Sequence, residues 1–297
     1  MGWRIVYIEK AMDLRLYLDN LKITDEKGSI TIPLNDIHSL IIDNTQAKMT
    51  IPLILKCSEY NINLVICNIE HLPTTVINPI SGNYKTYSQL TKQINWDQNL
   101  KRILHKEVVK NKINNQIDLL KKIDANYDVI NKLYEFVDEV EDGDVTNREG
   151  LAAKMYFREL FSPDFKRFSN DVINAGLNYG YSILRSQISK TIIAKGLHPA
   201  LGIFHKGPLN QYNLSDDLIE PLRPLIDNYV YNNLRDAIIF KRDHRLDLIK
   251  ITTKDVYINS TKQSMFNAIS ILVDGIIKFF ETADIENYSQ INLLYEL

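Results

Sequence analysis

The sequence predicts an α+β fold, with a β-rich N-terminal domain at residues 1–80 and a larger all-α domain at residues 81–297. In the first 80 positions, apolar residues alternate with polar ones or run continuously over segments of strand length. Beyond them, apolar residues recur mainly at helical spacing. The composition changes near residues 79–82, Pro-Ile-Ser-Gly, and we place the domain boundary there.

Five segments of the N-terminal domain are predicted as strands, at residues 4–8, 14–18, 21–23, 29–32 and 37–42. Residues 25–28, Asp-Glu-Lys-Gly, predict a hairpin turn. A short helix is predicted over residues 50–60, with Thr50 as its cap, and a buried strand over residues 63–67. This part contains no nucleophile elbow and no phosphate-binding glycine loop, so we expect it to be a scaffold and an oligomer surface.

The composition limits the class of protein. A hydrophobic content of 45% and a charged content of 24% are typical of a globular protein. The formal net charge of -2 excludes a uniformly basic nucleic-acid coat, although it leaves room for local basic surfaces. Only Cys57 and Cys67 occur, too few for a disulfide framework, and no apolar run reaches the ~18–20 residues of a membrane span. We therefore expect a cytoplasmic protein that does not bind a membrane.

A basic segment opens the helical domain. Residues 83–122 contain nine basic residues against three acidic ones, and Tyr84, Tyr87 and Trp96 lie among them. Two interpretations remain open: a solvated helical face with extended lysines, or a surface that contacts phosphates and stacks unpaired bases. Seven basic residues are candidates for DNA binding. Four belong to this segment, one follows His205 and two lie in a later basic cluster: Lys85, Lys92, Lys101, Arg102, Lys206, Arg242 and Arg245.

Glu149 is the first candidate metal ligand. It lies at the start of a predicted helix for which Thr146 or Asn147 supplies the cap, and the small residues that follow it allow another segment to pack closely. A carboxylate buried in such a place must be paired or bound to a metal. The alternative is a solvated acid that is favoured in the first turn by the helix dipole.

A histidine and two acids supply the other candidates. An apolar run ends in His205, and a Gly-Pro turn separates it from a predicted helix capped by Asn213 or Ser215. Asp217 and Glu220 are three residues apart, so they share one face of that helix. If the turn brings this face back to His205, imidazole and carboxylates surround a volume that suits a divalent cation. The alternative is a packed histidine beside ordinary capping acids.

Four motifs together resemble one known family. They are Asn-Arg-Glu-Gly with Ala-Lys and Tyr-Phe at residues 147–157, Asn-Ala-Gly-Leu-Asn-Tyr-Gly at 174–180, Gly-Ile-Phe-His at 202–205 and Asp-Leu-Ile-Glu-Pro-Leu-Arg at 217–223. Their order and spacing are similar to those of the CRISPR adaptation integrases, the universal Cas-one family. Gly-Trp-Arg at residues 2–4 and Lys-Ile-Asn-Asn-Gln at 112–116 resemble the version that accompanies type II systems.

The resemblance implies a site and an activity. Glu149, His205 and Glu220 match the catalytic metal ligands, although the third is commonly Asp in the family, and the ion would be Mg²⁺ or Mn²⁺. Asp217 and Tyr179 match residues that lie near the site. The implied reaction inserts prespacer DNA at the leader–repeat end of a CRISPR array, by attack of a 3′-hydroxyl on a phosphodiester, and endonuclease capability accompanies it.

The resemblance also implies an assembly. In each chain, residues 1–80 would form a scaffold and dimerisation domain and residues 81–297 a catalytic domain. Two homodimers would bind a dimer of a small adaptation protein, together with double-stranded prespacer DNA and leader–repeat DNA, and other type II adaptation proteins would be further partners. Two rival hypotheses are a standalone metal-dependent nuclease of branched DNA and a non-catalytic DNA-binding scaffold. The presence of all three matched ligands counts against the scaffold.

Overall fold

The computed structural model describes residues 2–77 and 85–293, and the chain divides into two compact units, Met1–Thr86 and Tyr87–Leu297. The first unit is rich in strands and the second in helices, which confirms the predicted fold class. The boundary predicted at residues 79–82 lies outside the described residues.

The first unit contains two four-stranded sheets within residues 2–77. The first sheet has the order β1–β5–β7–β8, in which β1, β5 and β7 are parallel and β8 is antiparallel to β7. In the second, of order β4–β3–β2–β6, β2, β3 and β4 form an antiparallel meander. The elements are β1 Arg4–Ile8, β2 Asp13–Tyr17, β3 Asn20–Asp25, β4 Gly28–Pro33, β5 Ile37–Ile42, β6 Lys48–Met49, α1 Ile51–Glu59, β7 Asn63–Cys67 and β8 Pro73–Ile77.

Apolar patterning explains the arrangement of these strands. All six residues of β5 are buried, which suits an inner strand of the sheet, and its two polar residues, His38 and Ser39, hydrogen-bond to each other at 2.8 Å. One core cluster joins Leu40 of the first sheet to Leu14 of the second and to Leu53 of α1. The predicted hairpin is present, because Asp25 pairs with Gly28 at the end of the β3–β4 ladder.

The second unit is built mainly from helices. They are α2 Thr86–Ile94, α3 Gln98–Lys122, α4 Tyr127–Glu139, α5 Arg148–Leu160, α6 Val172–Ala194, α7 Asn213–Ile219, α8 Arg223–Leu234, α9 Arg242–Ile251 and α10 Met265–Thr282. A short 3₁₀ turn, Glu220–Leu222, joins α7 to α8. Three strands, β9 Asp255–Ile258, β10 Thr261–Ser264 and β11 Ile291–Asn292, form an antiparallel sheet that the sequence patterns did not predict.

Two packing contacts place the elements that carry the candidate site. Ile113 and Ile117 of α3 share a core cluster with Leu133 of α4 and Tyr156 of α5. Helix α6 lies against α8, and a Cβ added at Gly180 would come within 2.5 Å of Ile226, so this close approach requires glycine. In the described part of the chain, none of the helices has the length and hydrophobicity needed to cross a bilayer.

Candidate metal centre

Glu149 is oriented by the capped start of α5. Of the two predicted caps, Asn147 is the one present: its side-chain oxygen accepts a hydrogen bond from the Gly150 amide at 3.2 Å. The buried carboxylate of Asp144 accepts two more, from the amides of Arg148 at 2.8 Å and Glu149 at 3.0 Å. Three of the amides that a helix start leaves unpaired are thus satisfied, which fixes the backbone that carries the Glu149 side chain.

Lys112 of α3 joins Glu149 to Glu220. Its Nζ lies 2.6 Å from Oε1 of Glu149 and 2.6 Å from Oε2 of Glu220, and the lysine is 8% exposed. The two carboxylate oxygens are therefore at most twice that distance apart. The ammonium is the main reason that the pKa of Glu149 lies well below its usual range, and the nearby His105 ring acts in the same direction.

Glu220 is held by a second cation. Arg223, three residues further along the chain, donates from Nε to Oε1 of Glu220 at 2.9 Å. Burial alone would raise the pKa of Glu220, but Arg223 and Lys112 outweigh burial, so the pKa is lowered. Oε2 of Glu220 is buried and, apart from its ion pair with Lys112, has no hydrogen-bond partner among the described residues. Asn115 of α3 donates to the carbonyl of Pro221 at 2.8 Å, which fixes the turn that carries Glu220.

His205 pairs with Asp217. Oδ1 of Asp217 lies 2.7 Å from Nδ1 of His205 and accepts from the His205 amide at 3.0 Å. Its Oδ2 accepts from the amides of Ile203 at 2.6 Å and Phe204 at 3.1 Å. The hydrogen bond to Asp217 raises the pKa of His205. Asp217 therefore both shapes the loop and orients the imidazole, with Nε2 left as the ring nitrogen that could bind an ion.

A stacked ring connects the His205 loop to Glu149. Phe204 stacks on His105 of α3 with ring centroids 3.7 Å apart and planes 7° from parallel. Nε2 of His105 lies 3.8 Å from Oε2 of Glu149. The three predicted ligands thus belong to one connected cluster, which α3 organises.

The predicted caps of α7 are wrong. The helix follows Tyr212, and neither Asn213 nor Ser215 donates or accepts a capping bond at its start. Asn213 instead ties down the preceding loop, since its amide nitrogen donates to the carbonyls of Ala200 at 3.0 Å and Gly207 at 3.1 Å. Ser215 is fully buried and pairs with Ser189 of α6. Tertiary contacts have taken the side chains that the local pattern assigns to the helix end.

The donor groups of the cluster suit a divalent cation. Across residues 2–77 and 85–293, no three His, Cys, Asp or Glu side chains already stand together at the separation that a metal requires. However, Glu149 and Glu220 hold the Lys112 ammonium between them, and this ammonium is the partner of the buried Oε2 of Glu220. His205 donates from Nδ1 to the Asp217 carboxylate, which is the usual arrangement of a metal-binding histidine. The donor set fits Mg²⁺ or Mn²⁺.

The other predicted residues lie in different settings. Tyr179 is fully buried on α6, and its ring meets Phe240 edge-on at 5.7 Å. Lys101 donates to the carbonyl of Gly202 at 3.2 Å, and its pKa is lowered first by burial and then by the nearby charge of Lys206. These two lysines therefore lie beside the His205 loop.

The five other basic candidates have different surroundings. Lys92 pairs with Glu281 at 2.7 Å, and Arg242 pairs with Asp243 at 3.3 Å. Arg102 donates to the carbonyl of Asp142, and Arg245 is half-buried on α9. Lys85 belongs to the first unit and is exposed.

Sequence reasoning missed the residues that connect the ligands. His105 and Lys112 are seven residues apart, which is two helical turns, and this spacing on one helix face was a signal for a shared partner. Asp144, which belongs to none of the four motifs, is buried and accepts hydrogen bonds from two amides at the start of α5. No local pattern pairs Phe204 with His105, because their contact depends on the tertiary fold.

Substitution of Asp217 tests the loop. Asp217→Asn removes the charge and leaves an amide that cannot accept the same set of hydrogen bonds, so we expect a loss of about 2–4 kcal/mol in the free energy of unfolding. Urea denaturation measures it. Asp274→Asn, which removes an exposed carboxylate paired with Lys195 at 2.6 Å, is the matched control and should lose less than about 1 kcal/mol. Equal losses in the two variants would contradict the role assigned to Asp217.

A buried acid behind the site predicts a pH dependence. Asp227 is fully buried and accepts hydrogen bonds from Tyr181 and from Tyr156, the latter at 2.8 Å. Burial raises the pKa of Asp227 to about 6, although both tyrosines and the charges of Arg223 and Arg167 act against it. In the unfolded chain the pKa of Asp227 is about 4. At pH values between this pKa and the raised pKa of the folded state, only the folded chain keeps the proton on Asp227. The free energy of unfolding therefore falls as the pH rises through this range.

The size of this effect follows from the shift. The pKa of Asp227 rises from an ordinary 3.8 to about 6, so the contribution of this proton is about 3 kcal/mol, present at about pH 4 and lost above about pH 6. Denaturation at several pH values should show this component in the wild type and not in Asp227→Asn. The exposed Asp236→Asn is the control and should keep it. Parallel pH profiles in wild type and Asp227→Asn would show that Asp227 does not titrate there.

Comparison with known proteins decides the family. The family described as CRISPR associated protein Cas1 matches residues 6–262. The chain belongs to the Cas1 family. The CRISPR-associated endonuclease Cas1 of Neisseria meningitidis serogroup C (strain 8013) is 37% identical over 227 residues, which cover 76% of this chain and 74% of the relative. The family resemblance inferred from the four motifs is thereby confirmed.

Two solved structures share the fold. A casposase bound to integration product superposes with a TM-score of 0.76 at 17% identity and covers 96% of this chain and 92% of its own. A Cas6-RT-Cas1–Cas2 complex gives a TM-score of 0.73 at 18% identity and covers 100% of this chain and 36% of the matched chain. At these identities the likeness concerns the fold alone.

Proposed function

We propose that the chain is a metal-dependent DNA integrase of CRISPR adaptation. It would join the 3′-hydroxyl of a prespacer to a phosphodiester at the leader–repeat end of a CRISPR array. The observation that carries this proposal is the pair of carboxylates, Glu149 and Glu220, buried around one cation beside a carboxylate-oriented histidine. Family membership supports it, as does the fold shared with a protein described as a casposase bound to integration product.

Glu149, Glu220 and His205 would hold Mg²⁺ or Mn²⁺. The chemistry that the bound ion supplies is polarisation of a phosphoryl oxygen and neutralisation of the charge that develops during transfer. Glu220 is one methylene longer than the Asp common in the family, and Arg223 fixes the extra length by holding Oε1. Asn115 and Asp144 would act through the backbone, since they position the segments that carry the two glutamates.

The other residues of the site would position the DNA. The Asp217 carboxylate keeps the His205 ring in one orientation, and its bonds to the loop amides keep the ring near α3. Lys101 and the exposed Lys206 would contact phosphates near the reacting bond. Because the 3′-hydroxyl of one DNA strand is the nucleophile, the reaction needs no serine or tyrosine nucleophile from the protein.

We also propose that residues 1–80 form a scaffold and dimerisation domain, and residues 81–297 a catalytic domain. Support comes from large apolar side chains that are exposed in the first unit, among them Leu18 at 77%, Ile51 at 67% and Ile30 at 61%. The proposed assembly is two homodimers on a dimer of a small adaptation protein, with other type II adaptation proteins as further partners. A matched structure described as a Cas6-RT-Cas1–Cas2 complex supports a partner of this kind.

A second candidate function is hydrolysis of DNA. The relative from Neisseria meningitidis is described as an endonuclease, and the same carboxylate–histidine site could direct a water molecule instead of a 3′-hydroxyl. The two functions differ in their products, because integration joins two strands whereas hydrolysis shortens one.

A strand-transfer assay tests the proposal. The protein, its small adaptation partner and a short duplex with 3′-hydroxyl ends are mixed with a supercoiled plasmid that carries a leader and repeat, in Mn²⁺, in Mg²⁺ and in EDTA. We expect joined products that depend on the metal. Shortened strands without joined products would favour the nuclease, and DNA binding without either product would favour a scaffold.

A further inference from the structure

Lys112 occupies the position between the two proposed metal-binding glutamates. Its Nζ is 2.6 Å from one oxygen of each. The other oxygen of each carboxylate faces a different side chain: Arg223 holds Oε1 of Glu220, and the His105 ring faces Oε2 of Glu149. The side chain of Lys112 is 10% exposed, and those of Glu149 and Glu220 are 19% and 9% exposed. The ammonium is therefore a buried, integral part of the site.

Charge balance shows what the lysine does there. Glu149 and Glu220 carry two negative charges, and Lys112 and Arg223 carry two positive ones, so the buried cluster is neutral without any added ion. A divalent cation bound to the same two oxygens would place an excess of positive charge in the cluster and would lie next to the ammonium. Repulsion between buried like charges at such separations is strong.

We infer that Lys112 is an internal counter-ion that competes with the divalent metal, so that metal binding requires its ammonium to leave at least one of the two glutamates. This inference rests on the proposed function, because it assigns the metal to Glu149 and Glu220. In the metal-free protein the lysine keeps the two carboxylates together. The ammonium also lowers the apparent metal affinity, since only the fraction of molecules with the lysine displaced can bind the ion.

Removing the charge of Lys112 should lower the stability of the metal-free protein and raise its affinity for the metal. Without the ammonium, two buried carboxylates face each other, with only Arg223 to offset them, and the metal-free protein loses stability. The metal no longer has a competitor, so it binds more tightly and stabilises the chain more. A lysine that merely supported the site would give the reverse, because its loss would disturb the ligands and weaken metal binding.

The test compares wild type with Lys112→Met and Lys112→Arg. Mn²⁺ affinity is measured by isothermal titration calorimetry, and thermal unfolding is recorded with and without Mn²⁺. We expect Lys112→Met to melt at a lower temperature without metal, to bind Mn²⁺ at least tenfold more tightly than wild type and to gain more in melting temperature from it. Lys112→Arg keeps the charge and should bind Mn²⁺ no more tightly than wild type.

A second measurement on the wild type covers the case in which Lys112→Met does not fold. Reductive methylation followed by mass spectrometry reports the accessibility of Lys112, and we expect modification to increase when Mn²⁺ is added. Lys122, on the same helix, is the internal reference and should not change with Mn²⁺. Unchanged reactivity of Lys112 in metal-loaded protein would overturn the inference.

The outcomes separate this inference from the proposed function. If wild type binds Mn²⁺ and Lys112→Met binds it equally or more weakly, the competition is refuted while the metal site stands. If neither protein binds Mn²⁺, the metal site and the inference both fail.

Discussion

Replacement of Glu149 by glutamine will reduce the rate of strand transfer at least about a hundredfold. Loss of a residue that only supports a metal ligand typically costs 10–100-fold in affinity or activity, and loss of a ligand itself should cost more. The glutamine keeps the size of the side chain but loses the charge that Lys112 and the proposed ion share. The rate of joined-product formation at saturating Mn²⁺ measures the effect.

Glu135→Gln is the matched control for Glu149→Gln. Glu135 lies on α4, is exposed and pairs with the exposed Lys132, so its loss should leave strand transfer within about twofold of wild type. A Glu149→Gln protein that folds and joins DNA at the rate of this control would contradict the role assigned to Glu149.

His205→Ala will reduce the rate of strand transfer about as much as Glu149→Gln does, while the protein stays folded and binds DNA. The three backbone amides that donate to Asp217 remain in the variant, so the loop keeps its shape after the ring is lost. Circular dichroism measures folding, fluorescence anisotropy with a labelled duplex measures binding, and the plasmid assay measures joining.

His71→Ala is the control for the histidine substitution. His71 belongs to the first unit, whereas the proposed ligands belong to the second, and it pairs with Asp43 at 2.9 Å. Strand transfer should persist in this variant. If His205→Ala loses folding along with activity, the histidine is a structural residue and its assignment as a ligand fails.

The sequence predicted the fold most successfully where a local pattern decides the structure. The mainly apolar segment Ile37–Ile42 became a fully buried inner strand, and Asn147 became the cap of α5. The small sheet of β9, β10 and β11 escaped prediction because its strands are two to four residues long, too short to display a period. The caps expected for α7 failed because Asn213 and Ser215 have tertiary partners.

The candidate site was predictable as a set of residue types and not as a geometry. Spacing alone placed Asp217 and Glu220 on one helical face, but the structure gives them different partners: Asp217 binds the His205 loop, and Glu220 faces Lys112. The cation between the glutamates comes from α3, 37 residues before Glu149 in the chain. A contact over that separation depends on how helices pack, which the local pattern does not contain.

The most direct test of the central claim is an anomalous difference map from crystals of the protein soaked in Mn²⁺. A peak within ligating distance of Glu149 and Glu220, with Nε2 of His205 turned towards it, is the predicted result. A map in which the ammonium of Lys112 still bridges the two glutamates and any Mn²⁺ peak lies elsewhere would contradict the assignment of the metal centre.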